Sequence, residues 1–418
     1  MICYETFHQD FTDALAQSYP ETDQRFSFRQ RIIPTLVSPY VLELKRDIRD
    51  QAEKIVAAYF RLRQTPEWAA HSSKQEPVVP DPGNTSALMS YDFHIDSDGA
   101  LRLIEINTNA SLSLLVDELH RFQKIENVFS KEFKSEILAT FTQEFNEARA
   151  AGSFKSSDRS PHGSTDLKRI GIVDENPTAQ RLFIEFAMYQ ELFATAGWDA
   201  KFFDPTELRF VDGQLQAKHH VATDEDDADG PLDLIYNRNT DFYFSAETSR
   251  ALREAMMAKA AAITPHPYEY RLLGDKDRLL ELSDDGFLQS LPLSDEDRAA
   301  ISRSLIRTIE VKNVEPEWMW KERKGYFFKP RRSHGGKAVY RGSSTSRGTF
   351  HSILAGDYLA QEMVPPPVVT FEGEEEMKYD LRFYVYRGKI QLSCSRLYRG
   401  QMTNSQSPGG GVAPIRWL

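Results

Sequence analysis

Cysteine is nearly absent from this chain of 418 residues, because Cys3 and Cys394 are the only two. Two thiols cannot build a disulfide framework or a four-thiolate zinc site, so both are excluded. Long apolar runs are also missing, and none approaches the length of a membrane span. The start, "MICYETFHQDFTDAL", has neither the basic nor the long apolar region of a signal peptide. We therefore expect a soluble cytoplasmic protein that does not contact a membrane.

An excess of positive charge is missing as well. The formal net charge is -11 at pH 7, which gives no general attraction to nucleic acid or to an anionic membrane. The contents of 40% hydrophobic and 27% charged residues are ordinary for a globular protein. The length is sufficient for two or three domains with a large core.

The first 150 residues have a mostly helical pattern. In "VLELKRDIRDQAEKIVAAYF", apolar residues recur at helical spacing from Leu42 to Tyr59. A long helical pattern also runs through "VDELHRFQKIENVFSKEFKSEILATFTQEFNEARAA". Between these segments, "SALMSYDFHIDSDGALRLIEIN" contains two apolar runs joined by Asp96-Ser97-Asp98-Gly99. This arrangement is typical of a β-hairpin.

Residues 151–166 are rich in serine, glycine and charge, and we expect them to form a linker. In 167–264, "KRIGIVDE", "WDAKFFDP" and "LDLIYNRN" are predicted strands, and "AQRLFIEFAMYQELFATAG" is a predicted helix that ends at Gly197. This order of elements predicts a small α/β domain with a parallel sheet. In 265–418, "GYFFKP", "DYLAQEMV", "YDLRFYVYRGKIQLSCSRLYRG" and "GGGVAPI" are predicted antiparallel strands.

Two polar residues interrupt the second strand of the predicted hairpin, "LRLIEINTNAS". Glu105 and Asn107 are two positions apart, so their side chains share one face of the strand. Asp92 lies on the preceding strand, where it could meet both. Carboxylate and amide oxygens are ligands that Mg²⁺ accepts together with phosphates. An alternative is that Glu105 pairs with an arginine and that Asn107 caps a turn.

A basic, glycine-containing loop follows a predicted strand in "FFKPRRSHGGKAVYRGSSTSRG". Lys329 lies at the end of the strand, and Gly335 and Gly336 lie in the loop. Glycines let backbone N–H groups approach a polyphosphate, and a lysine adds a point charge. The spacing differs from that of a GxxxxGK[ST] loop. The alternative is a flexible basic surface loop.

Arginines recur in the last segment of the chain. Asp380 and Arg382 share one strand face, and Arg396, Arg399 and Asn404 precede a triple glycine. Arginines can bind an oxygen-rich anion through bidentate, charge-assisted hydrogen bonds. The alternative for each is a surface strand edge with a tight turn. Cys394, on a predicted strand, is expected to be in the core.

Taken together, these motifs resemble the ATP-grasp ligases, and in particular the circularly permuted eukaryotic-type glutathione synthetases. In most ATP-grasp enzymes the Asp…Glu-x-Asn strands come last, after a "GG" turn and a helix. Here the chain ends at "SPGGGVAPIRWL" and "YDFHI…LIEINTN" lies near its start, so joining the two ends would restore the usual order. The resemblance covers nearly the whole chain.

The resemblance implies an α/β (α+β) ATP-grasp fold that is circularly permuted and carries a smaller inserted α/β parallel-sheet substrate domain. Residues 1–150 would supply a helical part and the metal-binding hairpin, and 151–166 the linker. Residues 167–264 would form the substrate-binding domain. Residues 265–418 would form the nucleotide-binding part with two glycine-rich lids.

By position, the resemblance also implies roles for individual residues, with ATP and Mg²⁺ as cofactors. The implied Mg²⁺ ligands are Asp92, Glu105 and Asn107. The implied ATP contacts are Lys276, Lys329, Gly335, Gly336, Gln361, Met363, Val364 and Asn404. The implied catalytic residues, facing the transferred phosphoryl group and the acyl intermediate, are Arg382, Arg396 and Arg399. The implied substrate contacts are Arg238, Asn109, Ser111 and Tyr243.

The implied activity is that of an ADP-forming carboxylate–amine ligase, which makes an amide from small amino-acid or peptide substrates through an acyl phosphate. The resemblance also suggests a homodimer. Ser333 stands about where the family has a metal-binding glutamate, which leaves a catalytically inactive nucleotide-binding module as an alternative. A nucleic-acid binder using the basic loop is a third possibility. The acidic net charge and the lack of interleaved aromatic residues count against it.

Overall fold

A computed structural model describes residues 3–32, 34–73, 77–152, 166–217, 230–332, 338–400 and 407–418. The predicted site residues Gly335, Gly336 and Asn404 lie outside these ranges, as do Ser333 and most of the predicted linker 151–166. The architecture is mixed α/β. None of the helices in the described ranges is both long and apolar enough to cross a membrane.

Helices occur along most of the chain, and seven of those in the described ranges lie in the first 150 residues. In chain order they are α1 (Tyr4–Ser18), α2 (Pro20–Phe26), α3 (Phe28–Arg31), α4 (Arg46–Gln64), α5 (Pro66–Ser72), α6 (Ser113–Phe122), α7 (Phe133–Ala150), α8 (Phe183–Thr195), α9 (Arg250–Ala258), α10 (Pro267–Glu269), α11 (Asp277–Leu282), α12 (Asp285–Ser290), α13 (Asp295–Ser304), α14 (Pro316–Glu322) and α15 (Arg347–Ala355). A π-helical turn, Tyr270–Gly274, follows α10 directly.

The strands form several separate sheets. In chain order they are β1 (Leu42–Leu44), β2 (Met89–Ile95), β3 (Leu101–Asn107), β4 (Arg169–Val173), β5 (Asp199–Phe203), β6 (Leu208–Val211), β7 (Gln214–Ala217), β8 (Leu234–Asn237), β9 (Ala262–Thr264), β10 (Thr308–Glu310), β11 (Tyr326–Pro330), β12 (Tyr340–Arg341), β13 (Tyr358–Glu362), β14 (Val368–Val369), β15 (Met377–Tyr386), β16 (Lys389–Tyr398), β17 (Gly411–Ala413) and β18 (Ile415–Trp417).

The first and last parts of the chain share one six-stranded sheet. Its order is β17-β16-β15-β2-β3, with β14 beside β15. The antiparallel pairing of β15 with β2 places Arg382 opposite Asp92. In addition, β18 pairs in parallel with β1. Cys394 is buried in β16, as predicted, and burial raises the pKa of its thiol to about 12.

The predicted hairpin is confirmed as β2 and β3. Its turn is closed by the Asp96 carboxylate, whose Oδ1 accepts the N–H groups of Asp98 at 3.0 Å and Ala100 at 2.9 Å. Gly99 occupies the left-handed region with a φ of 79°, which costs glycine little. The turn residues therefore fix the register of the two strands.

A β-bulge in β3 determines which way its polar residues face. Asp92 pairs with Glu105 and the next residue of β2 pairs with Leu103, so Ile104 has no partner on β2. With strict alternation, Glu105 would point into the core together with Leu103. Because the bulge shifts the alternation by one residue, Ile106 packs into the core instead. Glu105 and Asn107 face the other side, half-buried.

Residues 167–264 contain the predicted parallel sheet, in the order β5-β4-β8-β9. All three pairings are parallel. The predicted helix is present as α8, and Gly197 follows it with a φ of 78°. On one face of the sheet, the ring of Phe141 in α7 packs 5.1 Å from that of Tyr236 in β8. The division of the chain into domains at these boundaries stays a prediction.

Two local sequence predictions differ from the structure, and one hairpin was not predicted. Leu42–Leu44 form β1 rather than the start of a helix, because they pair with β18. The predicted long helix is two helices, α6 and α7, because Lys124 takes a left-handed φ of 56° and the chain leaves the helix there. The hairpin of β6 and β7, with Asp212 and Gly213 in its turn, was not predicted.

A second antiparallel sheet, in the order β10-β13-β11-β12, lies in the last part of the chain. It includes two of the predicted strands, "GYFFKP" and "DYLAQEMV". Lys329 pairs with Leu359 across β11 and β13, and Gln361 pairs with Thr308 across β13 and β10. This sheet forms one wall of the cleft described next.

Candidate active site

A cleft is bounded by the edge strand β3, the sheet of β10, β11 and β13, the π-helical turn and the start of α11. Its space, counted together with the open solvent at its mouth, is about 710 Å³. The lining side chains are Ile104, Glu105, Ile106, Asn107, Thr108, Phe242, Tyr270, Leu273, Gly274, Asp275, Lys276, Leu279, Thr308, Lys329, Leu359 and Gln361.

This cleft brings together five of the residues that the sequence analysis named, from segments far apart in the chain. Glu105 and Asn107 come from the hairpin, Lys276 from the residue before α11, and Lys329 and Gln361 from the second sheet. Apolar side chains supply much of the remaining wall. A mixed lining of this kind suits a ligand with an apolar ring and a charged end.

Two lysines share the cleft with Glu105. Burial lowers the pKa of Lys276, and the negative charges of Glu105 and Asp275 partly oppose that shift. Burial also lowers the pKa of Lys329; Glu105 again opposes the shift, whereas the nearby Lys276 adds to it. Two ammonium groups held close together in a partly dry cleft would gain from an anionic ligand between them.

Asn107 links the two carboxylates of the hairpin. Its Nδ2 donates to Glu105 Oε1 at 3.2 Å and to Asp92 Oδ2 at 3.3 Å. The three side chains therefore lie side by side on one face of the sheet. Glu105 and Asn107 line the cleft, while Asp92 lies behind them and is 0% exposed.

Two arginines hold the buried Asp92 carboxylate. Arg382 donates from Nε to Oδ1 at 2.8 Å and from Nη2 to Oδ2 at 2.7 Å. Arg396 donates from Nη2 to Oδ2 at 2.8 Å. Burial alone would raise the pKa of Asp92, but the two guanidinium groups outweigh it and lower that pKa. One alternative from the sequence is an arginine partner for Glu105; within the described ranges, Arg382 and Arg396 pair with Asp92 instead.

The ion pairs of Asp92 with Arg382 and Arg396 extend across the sheet to Asp380. Arg396 also donates to Asp380, from Nε to Oδ1 at 2.7 Å. Although burial opposes it, Asp92 raises the pKa of Arg382 well above its usual range. Arg399 lies elsewhere, donating to the Pro408 carbonyl at 2.8 Å. Arg382 and Arg396 therefore adjoin the hairpin residues, whereas Arg399 does not line the cleft.

The implied ATP contacts at Gln361, Met363 and Val364 divide in a similar way. Gln361 lines the cleft. The N–H of Met363 donates to the Gly325 carbonyl at 2.7 Å, and the Val364 carbonyl lies 2.8 Å from His94 Nδ1. Met363 and Val364 thus follow Gln361 along the chain but are not among the lining residues.

The predicted substrate contacts cluster behind the cleft. Arg238 Nη1 donates to the Asn109 carbonyl at 2.8 Å, and its Nη2 donates to Ser111 Oγ. The Tyr243 hydroxyl donates to Asp275, which itself lines the cleft. Arg238, Asn109 and Ser111 are therefore in contact with one another, and Tyr243 reaches the cleft through Asp275.

Several lining residues were not identified from the sequence. The rings of Phe242 and Tyr270 stack with centroids 4.3 Å apart, and a Cβ on Gly274 would lie 3.2 Å from Thr108 Cγ2. These contacts build one end of the cleft. Asp275 could have been found because it precedes Lys276 directly. The two aromatic residues had no such signal, because neither belongs to a motif that indicates a binding site.

No protein-family model matches the chain, and no curated protein matches it. Among solved structures, the chain is similar to a glutathione synthetase-like effector from Globodera pallida in its apo form. The TM-score is 0.56 at 12% sequence identity, over 100% of this chain and 98% of that chain.

Two further solved structures align with lower scores. A putative gamma-glutamylcysteine synthetase from Methylobacillus flagellatus gives a TM-score of 0.43 at 10% identity, over 85% of this chain and 83% of that chain. The ATP-grasp ligase PsnB, complexed with a minimal precursor, gives 0.30 at 10% identity, over 60% of this chain and 90% of that chain. Scores this low carry no argument about the fold. The alignment with the effector covers the full chain and does support an argument about the fold. This chain has the fold of a glutathione synthetase-like protein, so the predicted resemblance is confirmed at the level of the fold.

Proposed function

We propose that the chain is an ADP-forming carboxylate–amine ligase that uses ATP and Mg²⁺ to join small amino-acid or peptide substrates. One observation carries the proposal: Glu105 and Asn107 share a cleft with Lys276 and Lys329. This combination offers oxygen ligands for a cation and ammonium groups for phosphates within a single site. The similarity in fold to a glutathione synthetase-like effector supports it.

The hairpin residues fit Mg²⁺ in part. Glu105 and Asn107 line the cleft, and their side-chain oxygens are hard donors of the type that Mg²⁺ accepts. Asp92 would join them only by exchanging an arginine contact for the metal. Within the described ranges, no group of three or more His, Cys, Asp or Glu side chains could hold a metal ion. The proposed site would therefore be completed by Asn107 and by phosphate oxygens. When bound, Mg²⁺ would neutralise charge on the phosphates.

The residues of the chain would then act mainly by positioning and by electrostatics. Lys276 and Lys329 would hold the triphosphate while a substrate carboxylate attacks the γ-phosphorus and ADP leaves. An amine would next attack the acyl carbon, and phosphate would leave as the amide forms. Leu279 and Leu359, in the apolar wall, would limit the access of water to the acyl phosphate.

The buried arginines are proposed to stabilise charge on the transferred phosphoryl group. The side chain of Arg396 keeps 22% exposure and that of Arg382 keeps 11%, so Arg396 is the better placed for direct contact. The residues that the resemblance alone assigns remain part of the proposal: Arg399 as a catalytic residue, Gly335, Gly336, Met363, Val364 and Asn404 as ATP contacts, and Asn109, Ser111 and Tyr243 as substrate contacts. The resemblance also implies a substrate contact for Arg238, but the terminal nitrogens of this residue donate to Asn109 and Ser111.

A screen of ADP release would test the proposed activity. The purified protein would be incubated with Mg²⁺ and ATP over γ-glutamyl peptides, free amino acids and polyamines, and products would be identified by mass. We expect ADP release that requires a carboxylate and an amine together, with a product lighter than their sum by one water. Nucleotide binding without ADP release across the panel would favour the inactive nucleotide-binding module.

Lys329→Ala is expected to weaken the binding of Mg²⁺-ATP by about 10–100-fold, because a charge-assisted contact to phosphate is lost. Titration calorimetry would measure the affinity. Lys324→Ala is the matched control, because Lys324 is exposed and precedes the same strand; it should bind as the wild type does. Equal affinity in Lys329→Ala and wild type would remove Lys329 from the phosphate site.

A further inference from the structure

Residues 109–114, called loop 109–114 below, follow β3, which carries Glu105 and Asn107, and include the first two residues of α6. Two buried charged residues from the parallel-sheet part of the chain hold this loop. Arg238 directly follows β8 and is 5% exposed, and Glu185 lies in α8 and is 1% exposed. Burial raises the pKa of the Glu185 carboxyl group, and the charge of Arg238 partly opposes that shift.

Arg238 directs both of its terminal nitrogens at the loop. Nη1 donates to the carbonyls of Asn109 and Ala110, each at 2.8 Å, and Nη2 donates to Ser111 Oγ. The guanidinium lies 5.6 Å from the centre of the Phe186 ring. Because these donors contact the loop, Arg238 supports the loop backbone.

Glu185 holds the other half of the same loop. Its Oε2 accepts the N–H of Leu112 at 2.6 Å, and its Oε1 accepts the N–H of Leu114 at 3.2 Å. Leu112 has a φ of 75°, which is uncommon for a residue with a side chain. The carboxylate therefore stabilises a backbone conformation that leucine would otherwise avoid.

The loop is also fixed from the side of the six-stranded sheet. The Tyr384 hydroxyl, on β15, donates to the Ser111 carbonyl at 2.7 Å. The end of β3 is thus fixed on two sides, by β15 and by the pair of Arg238 and Glu185. Asn107 lies only two residues before this loop, so a change in the loop would move its amide relative to Glu105.

We propose that Glu185 and Arg238 are positioning residues that hold loop 109–114, and through it Asn107, in the geometry of the nucleotide–metal site. This inference rests on the proposed function. It gives Arg238 a role different from the substrate contact that the resemblance implies, and it gives a role to Glu185, which belongs to none of the sequence motifs.

The test combines amide hydrogen exchange with calorimetry of Mg²⁺-ATP binding in the full chain. In Glu185→Gln, the amides of Leu112 and Leu114 should exchange faster, and the affinity for Mg²⁺-ATP should fall about tenfold, as for other residues that support metal ligands. Arg238→Lys keeps the charge but cannot span both carbonyls, so a smaller loss is expected. Ile184→Val, a mild core change on the same helix, is the matched control and should change neither readout.

The outcomes separate this inference from the proposed function. If the wild type does not bind Mg²⁺-ATP, the proposed function is wrong and the inference falls with it. If the wild type binds and Glu185→Gln binds equally well, the positioning role alone is wrong. The positioning role is also wrong if Ile184→Val loses as much affinity for Mg²⁺-ATP as Glu185→Gln does. If Glu185→Gln does not fold, Ser113→Ala removes one hydroxyl contact to Glu185 and takes its place beside Arg238→Lys.

Discussion

Glu105→Gln is expected to reduce substrate-dependent ADP release by roughly 100-fold or more while leaving the fold intact. The substitution keeps the shape of the side chain and an oxygen that can accept the Asn107 hydrogen bond. It removes the negative charge that a cation in the cleft would need. Initial rates of ADP release at saturating Mg²⁺ and ATP would measure the effect, with circular dichroism to verify folding.

Glu53→Gln is the matched control for this change, because Glu53 is exposed on α4. It should turn over at the wild-type rate. Near-normal turnover in Glu105→Gln would show that Glu105 does not hold the metal, and the proposed site would then have to be built around other oxygens.

Asp92→Asn is expected to lower the free energy of unfolding by about 3–5 kcal/mol, because it leaves the buried Arg382 without its carboxylate partner. Arg396 would keep its ion pair with Asp380. The lost stability is therefore due mainly to the unpaired charge of Arg382. Urea denaturation followed by fluorescence would measure the change. The double variant Asp92→Asn, Arg382→Met should recover part of the loss, because it removes the stranded charge.

An exposed pair of the same type serves as the control for Asp92→Asn. Arg29 and Asp13 form a bidentate contact whose side chains are both largely exposed. Asp13→Asn should therefore change the free energy of unfolding by less than about 1 kcal/mol. Equal effects of the two substitutions would mean that the buried ion pair of Asp92 and Arg382 contributes no more to the free energy of unfolding than a surface ion pair.

The contribution of Asp92 to the free energy of unfolding should also depend on pH, and it should decrease as the solution becomes more acidic. Its pKa is lower in the folded protein than the usual value, so the unfolded state binds its proton more readily. The stabilisation is fully present above the unfolded pKa of about 3.9 and is lost as the pH falls through the folded pKa. Acid denaturation of the wild type should converge with that of Asp92→Asn in this range.

The hairpin shows how far the sequence leads and where it stops. The turn residues predict both strands, and the i, i+2 spacing predicts that Glu105 and Asn107 share a face. The direction of that face depends on the bulge at Ile104, which leaves no mark in the sequence. Only the pairing with β2 reveals it, because a bulge is a property of two strands together.

The charged residues show a related limit. The sequence identifies Asp92, Arg382 and Arg396 as residues of interest, yet it does not show that they bind one another across β2, β15 and β16. Such contacts join residues distant in the chain, and local spacing does not encode them. Glu185 left a stronger signal, because it is a single acid in the apolar run "FIEFAMYQ". A charge there requires a buried partner, and this one has the loop N–H groups.

A structure of the protein with Mn²⁺ in place of Mg²⁺ and a non-hydrolysable ATP analogue would show whether this cleft is the nucleotide–metal site. We expect the triphosphate between Lys276 and Lys329. We also expect an anomalous peak for the metal within bonding distance of a Glu105 oxygen. A nucleotide bound outside this cleft, or a metal with no contact to Glu105 or Asn107, would contradict this assignment.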